Sequence, residues 1–567
     1  MISRRTFVQG LVHGVGGGAI LLGGARPGWA SVPSPAVLTG PEFDLTIGET
    51  RVNFTGASRS AVVVNGQLPA PLLRMRQGDT VTIRVTNELR ETSSIHWHGF
   101  ILPADMDGVP GLSFEGIAPG TTFTYRFKVN QSGTYWYHSH SRFQEQVGLY
   151  GPIVVERRAG ERHAADREYT LLFSDWTDHD PERIYATLKR QSDYFNQNKR
   201  TLADFVEDVR TQGFSKTFED RRMWASMRMN PTDLADVTGY AYTYLLNGAT
   251  PAGNWTAIFK PSERVRLRLI NGSSMSFFDV RIPGLKLTVI GTDGQDVEPV
   301  TVDELRVGTA ETYDVIVTPG DAAYTIFAQA MDRSGYARGT LAPRPGMSAE
   351  VPALDQRALL TMTDMAMDHG SHGGMDPAEA ARHAAMGHAP PPAAPPLVHA
   401  PAESGPLVDM LAEVPASRLD DPGVGLRDNG RRVLTLADLH TLGGPIDRRD
   451  AGREIELHLT GHMERFVWSF NGRKFSDAKP LDFRHGERLR IVLVNDSMMT
   501  HPIHLHGMWS ELIDEHGAFL VRKHTVPVQP GQRLAYLVTA DALGRWAYHC
   551  HLLYHMEAGM FREVVVA

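Results

Sequence analysis

The chain has 567 residues, 42% of them hydrophobic and 22% charged. That is an ordinary soluble balance, long enough for three or four domains at ~150 residues each. The net charge is −8, and no basic block offers a phosphate-neutralising face, which argues against a nucleic-acid partner. Beside a single cysteine stand 24 histidines and 21 methionines. Methionine is often mere core filler, so position must decide what these residues do.

Residues 1–30 read as an export signal. Arg4 and Arg5 precede a weakly apolar, glycine-rich stretch from Gly10 to Gly24, and Gly28 with Ala30 forms a small-x-small cleavage site before Ser31. The stretch is too short and glycine-rich to span a bilayer, so no membrane span is expected in the mature form. "SRRTF" resembles the twin-arginine signal, which exports proteins already folded. An ordinary secretory signal with two arginines is the competing reading. Either way the mature chain is expected in a bacterial periplasm. Disulfides form there, but one cysteine cannot make an internal bridge.

The next feature is a pattern written three times. "GDTVTIRVTN", "SERVRLRLIN" and "GERLRIVLVN" alternate apolar and polar residues and end at Asn87, Asn271 and Asn495. Asn65-Gly66, Asn247-Gly248 and Asn471-Gly472 precede them at similar distances, and strands carrying Tyr125, Tyr313 and Tyr536 follow. Short period-two strands separated by turn signals predict β-sandwiches. The fold class expected is all-β, with three consecutive Greek-key sandwich domains at residues 40–157, 158–340 and 425–567. Residues 181–239 interrupt the second copy with helical spacing. Residues 341–424 are rich in Met, His and Pro and lack a core-forming pattern, so they read as a mobile linker or lid.

Histidine pairs fall only in the outer copies. The first holds His96-Trp97-His98 and His138-Ser139-His140; the third holds "HPIHLHG" and "HCHLLYH". The matching stretches of the second copy, "MSFFDVR" and "YTIFAQA", have no histidine. Residues i and i+2 of a strand share a face, so each His-x-His can aim two imidazoles at one cavity. His96, His98, His138, His140, His504, His506, His549 and His551 together suit three copper ions with room for an oxygen ligand. Cys550 points the opposite way from His549 and His551. With His501, His555 and a weak axial Met560 it makes the ligand set of a blue electron-transfer copper. A lone His-x-His is more often a hydrogen-bonded pair, and a lone Cys a small buried hydrophobe; four pairs around the only cysteine outweigh those readings. Zinc is disfavoured, because one thiolate among so many imidazoles makes no closed Cys/His tetrahedral set.

At these residues the sequence resembles the multicopper oxidases. "HWHG", "HSH", "HPIHLHG" and "HCHxxxHxxxxM" match that family's copper motifs in order, over nearly the whole mature chain. Within the family it looks closest to the periplasmic copper-resistance oxidases. The resemblance implies cupredoxin-like domains and four coppers: a type 1 ion on His501, Cys550, His555 and Met560, a type 2 ion on His96 and His504, and a type 3 pair on His98, His138 and His551 and on His140, His506 and His549. It further implies electron entry at type 1, transfer through Cys550, His549 and His551, and reduction of O2 to water. Asp107 in "DMDGVPG" matches a carboxylate that steers protons near the cluster, whereas a lone Asp-Gly is ordinarily a turn. Met556 stands where some relatives carry a second acid; Glu557 comes one residue later and reads better as a salt-bridged surface residue than as a relay.

The Met/His-rich stretch bears on substrate. Met362, Met365, Met367, His369, His372, Met375, His383, Met386 and His388 crowd one low-complexity segment. Thioethers select Cu(I), and imidazoles also suit Cu(II). The segment is expected to gather periplasmic copper ions and deliver Cu(I) towards type 1 for oxidation to Cu(II), with periplasmic copper carriers as further candidate partners and a plain flexible linker as the bland reading. Met223, Met227 and Met229 add soft candidates that helix packing would explain equally well. Phenol oxidation of the laccase kind and copper sequestration by binding alone are the alternatives. Complete type 2 and type 3 sites are needed only for oxygen chemistry, and a nitrite reductase would lack the trinuclear cluster.

Overall fold

The computed structural model describes residues 35–367 and 399–567. The expected export signal lies outside the described residues, as do His369, His372, Met375, His383, Met386 and His388. No described helix is long and apolar enough to cross a membrane.

Six sheets form three two-sheet units in chain order, with strands running from Val37–Thr39 to Tyr150–Glu156, from Arg167–Trp176 to Tyr336–Ala342, and from Arg453–His462 to Phe561–Val566. The repeated strands occupy one topological position. Thr80–Asn87 pairs parallel with Glu42–Val52 and antiparallel with Thr122–Lys128. Val265–Asn271 sits in the same way between Arg167–Trp176 and Thr312–Val317, and Arg488–Asn495 between Arg453–His462 and Arg533–Thr539.

The repeated asparagines have structural jobs. Asn65, Asn247 and Asn471 take φ of 51°, 49° and 52°, each followed by a glycine with positive φ, as the tight hairpin turn requires. Their side-chain oxygens accept from Thr46, Leu172 and His458 backbone N–H at 2.7, 2.8 and 2.7 Å. The strand-terminal asparagines are fully buried and work alike. The amide of Asn271 donates to the carbonyls of Ser276 and Val307 at 2.8 and 2.9 Å while its oxygen accepts from Ser273 N–H. Asn87 does this with Ile117, Glu91 and Leu89, and Asn495 with Val528, Met499 and Ser497. Each one ties a strand end to the loop that opens toward the next sheet.

The interruption in the second copy is helical as expected, with helices Pro181–Leu188, Leu202–Gln212 and Phe214–Met227. Asp180 caps the first, and Thr201 with Asp204 forms a capping box on the second. Met229 is buried and Met223 and Met227 pack on the core, so helix packing accounts for these thioethers.

The stretch between the second and third units differs from the expected linker where it is described. Leu360, Met362, Met365, Met410 and Ala412 are buried, and Met367 packs against the core. A turn closed by Thr361 and Asp364, with Asp364 held by Arg427, carries Met362 and Met365 inward. Polar composition hid this, because a turn can bury the few apolar residues of a low-complexity stretch. Between the second and third units, Lys523 is fully buried and pairs with Asp293 and Glu311 at 3.1 and 2.9 Å.

Asn271→Ala should lower the thermal unfolding midpoint, corresponding to about 1–3 kcal/mol, because buried carbonyls lose their donor. The second unit lacks the histidine pairs, so metal content should not change. An unaltered midpoint would show that these amides do not hold the sandwiches.

Candidate metal centres

The eight paired histidines come together through strand pairing. His96–His98 lies antiparallel to Gly133–His138, setting His96 opposite His138. His501–Leu505 lies antiparallel to Gly544–Cys550, setting His504 opposite His549 and Ile503 opposite Cys550. Seven of the eight imidazoles are buried and His140 is partly so. Their ligand atoms fall into groups whose members lie within 4.8 Å of one another: His96, His98 and His504; His98, His138 and His551; His140, His506 and His549. A separate group is His501, Cys550 and His555.

Outer hydrogen bonds set which nitrogen of each ring is free. A ring nitrogen that donates to a carbonyl or carboxylate leaves the other with a lone pair. Nδ1 donates from His96 to the Asp107 carbonyl at 2.8 Å, from His504 to the His524 carbonyl at 2.6 Å, and from His549 to the Cys550 carbonyl at 3.0 Å. Carboxylates hold Nδ1 of His506 (Asp107, 2.8 Å) and of His138 (Glu145, 2.6 Å). All five therefore turn Nε2 inward. His98 is reversed: its Nε2 bonds Thr525 Oγ1 at 3.1 Å, and its Nδ1 is buried without a partner. Asp107 reaches His96 and His506 because Gly108, at φ 82°, lets its loop lie on the His96 strand; a Cβ there would sit 1.9 Å from the Ile95 carbonyl oxygen.

The cysteine group reverses the tautomer. His501 Nε2 bonds Ser497 Oγ at 2.7 Å and His555 Nε2 bonds Asp236 Oδ2 at 2.7 Å. Both therefore present Nδ1, 3.6 and 3.8 Å from Cys550 Sγ and 3.2 Å from each other. Met560 is fully buried beside them, its carbonyl accepting from Cys550 N–H at 3.1 Å. Trp468 stacks on His555 with centroids 3.9 Å apart.

Burial, and then the neighbouring rings, hold the pKa values of His98, His138, His140, His504, His506 and His551 well below the ordinary imidazole range; His549 falls to about 4. The rings are therefore neutral near pH 7, as ligands must be. Burial pushes the Cys550 thiol far up, so only a bound cation makes it a thiolate.

Sequence reasoning missed Asp236, Glu145, Ser497, His524 and Thr525, all of which orient ring nitrogens. Asp236 comes from beyond the helices of the second unit, hundreds of residues from His555, and no spacing signals it. Glu557 pairs with Arg142 at the surface, which also holds Glu182 at 2.9 Å. Of the methionines proposed for substrate copper, the described Met362 and Met365 are core residues and Met367 is partly buried against the core.

The donor sets fit copper. Nε2 of His96, His140 and His504 is buried without a hydrogen-bond partner among the described residues. His506 and His549 point proton-free Nε2 atoms at each other across 3.1 Å, an arrangement that needs a cation. Nitrogen donors with one thiolate suit copper, and a thiolate-centred group beside an all-imidazole cluster defines a copper oxidase with separate electron-entry and oxygen sites. Multicopper oxidase family models match residues 46–160, 167–344 and 448–567, and the chain belongs to the multicopper oxidase family, whose members bind four coppers.

The chain is 60% identical to a copper resistance protein A homolog from Pseudomonas syringae pv. tomato, over 100% of this chain and 99% of that protein. It is 57% identical to copper resistance protein A from Escherichia coli, with the same coverage. Among solved structures it shares the fold of Fet3p, a multicopper oxidase that functions in iron import, at a TM-score of 0.64 and 20% identity, covering 93% of this chain and 90% of that one. A multicopper oxidase from Campylobacter jejuni gives a TM-score of 0.58 at 18% identity, covering 94% of each chain.

Glu145→Ala should leave Nδ1 of His138 only the Ser139 carbonyl at 3.1 Å and weaken copper retention or oxidase activity by on the order of 10–100-fold, as loss of an outer-sphere partner does. Visible absorption from the Cys550 group should persist. Full copper content and activity in this variant would remove Glu145 from the site.

Proposed function

We propose that this protein is a copper-resistance oxidase of the periplasm that converts Cu(I) to Cu(II) and uses the electrons to reduce O2. Four Cu(I), one O2 and four protons give four Cu(II) and two waters. The reading is carried by the opposite facing of Cys550 from His549 and His551 on one strand. A centre holding the thiolate would thereby be one residue from two ligands of the cluster, and a protein that merely sequestered copper would need no such link. The names of the 57–60% identical relatives support the copper-resistance role, and the twin-arginine-like start supports export.

We assign type 1 copper to His501, Cys550, His555 and Met560, type 2 to His96 and His504, and the type 3 pair to His98, His138 and His551 and to His140, His506 and His549. Bound there, the coppers supply one-electron acceptance at type 1 and four-electron delivery to O2 at the cluster. The protein's part is positional. Ser497 and Asp236 hold the tautomers of His501 and His555. Asp107 braces His96 through its carbonyl and His506 through Oδ2, and it is the acidic residue we assign to steering protons near the cluster. Trp468 and burial of both type 1 imidazoles keep bulky reductants from the metal edge. Asp236 also lines a small cavity with Met275, Met331 and Met499, which are buried core residues as Met362 and Met365 are. Thioethers beside a carboxylate suit Cu(I) better than a phenol.

Two outcomes are expected. Cys550→Ser should abolish the blue absorption and oxidase activity while the cluster keeps its copper; a variant that stays blue would contradict the assignment. In O2-uptake measurements the loaded enzyme should turn over Cu(I) faster than phenols, and Asp236→Ala should cut Cu(I) turnover by on the order of 10–100-fold. Faster turnover of phenols by the parent enzyme would favour the laccase-like alternative.

A further inference from the structure

A second histidine–carboxylate cluster lies outside the centres described. Strand Arg453–His462 carries His458 at a buried position, and the strand pairs with Arg488–Asn495, which leads directly into Asp496. His458 Nδ1 bonds Asp496 Oδ2 at 2.6 Å. Asp496 is itself fully buried and fixed by Ala412 N–H at 2.8 Å. That bond places the proton on Nδ1 and leaves a lone pair on Nε2, the arrangement in which a carboxylate orients a metal-binding imidazole.

Facing this Nε2 is the turn that begins at His399. Glu403, 2% exposed, closes the turn through Ala400 N–H at 2.9 Å and brings Oε2 to 4.0 Å from His458 Nε2. His399 Nδ1 lies 3.3 Å from the same oxygen, buried and without a hydrogen bond, and the two imidazoles are 5.0 Å apart. Glu456 Oε1 stands 3.4 Å from His458 Nε2, its other oxygen paired with Arg533 at 2.9 Å. The turn is seated closely: Gly472 sits under the Ala402 carbonyl, where a Cβ would come within 2.0 Å.

Two ring nitrogens and a carboxylate oxygen thus converge in a largely buried pocket with no hydrogen bond among them that uses His399. The Glu403 oxygen lies 3.3 and 4.0 Å from the two ring nitrogens, separations that ligands at ~2.0–2.2 Å around one ion span. We propose that His399, Glu403 and His458 form an additional divalent-metal site, with Glu456 as a further oxygen donor and Asp496 as the group that orients His458. Mixed nitrogen and oxygen donors without sulfur disfavour Cu(I), and among divalent first-row ions such a set binds Cu(II) most strongly. The competing occupant is a proton. Burial, the largest influence, lowers the pKa of His458, but its bonds to Asp496 and Glu456 raise it to about 9. The proposal does not depend on which reductant the oxidase uses.

The test is equilibrium dialysis of the four-copper holoenzyme against buffered Cu(II), comparing the parent chain with Glu403→Gln and His399→Ala. His369, His372, His383 and His388 offer other imidazoles, so the readout is the difference between parent and variant rather than total copper. Each variant should bind one copper fewer per chain at free Cu(II) levels that saturate the parent, with the blue type 1 absorption unchanged. The partly exposed His399 keeps the test valid if Glu403→Gln folds poorly. Electron paramagnetic resonance of the additional Cu(II) should show coupling to two imidazole nitrogens in the parent. Equal copper binding by parent and His399→Ala, with no such additional signal, would leave His458 a protonated member of an ion cluster and overturn the proposal.

Discussion

The structure depends on the alternation of side chains along one strand, Gly544–Cys550, and its continuation through His551. Neighbouring residues of a strand face opposite ways. His549 and His551 therefore enter the cluster between the first and third units, while Cys550 enters the core of the third unit beside His501 and His555. A slip of one residue would exchange the two sets, so the register with His501–Leu505 is as much a functional constraint as the histidines are. The repeated asparagines guard that register by tying strand ends to the loops that follow them.

A second constraint is protonation. Burial keeps the imidazoles neutral, but only hydrogen bonding decides which nitrogen faces inward. The two centres use opposite choices. Carbonyls, Asp107 and Glu145 free Nε2 in the cluster, and Ser497 and Asp236 free Nδ1 beside the cysteine. His98, reversed by Thr525, marks where the third unit intrudes on the first.

Much of this was legible in the sequence because it is local. Alternation, Asn-Gly turns and His-x-His pairs are short-range patterns, and their threefold recurrence separated scaffold from site. The groups that orient the rings were not legible. Asp236 and Glu145 have no fixed spacing from the histidines they hold, and His524 acts on His504 through its carbonyl rather than its ring. The burial of Met362 and Met365 was not legible for a different reason: composition marked a low-complexity segment, but whether a thioether faces solvent or core depends on the turn that carries it. His399, at the edge of the same segment, drew no notice as a single histidine; its partners lie on another strand.

Crystallography of the copper-loaded protein, with anomalous diffraction at the copper edge, locates each ion directly. One copper is expected bonded to Cys550 Sγ and to Nδ1 of His501 and His555. Three more are expected among the eight paired histidines, bonded through Nε2 at His96, His138, His504, His506 and His549 and through Nδ1 at His98. Copper bonded through the opposite nitrogens, or no copper on Cys550, would contradict these assignments.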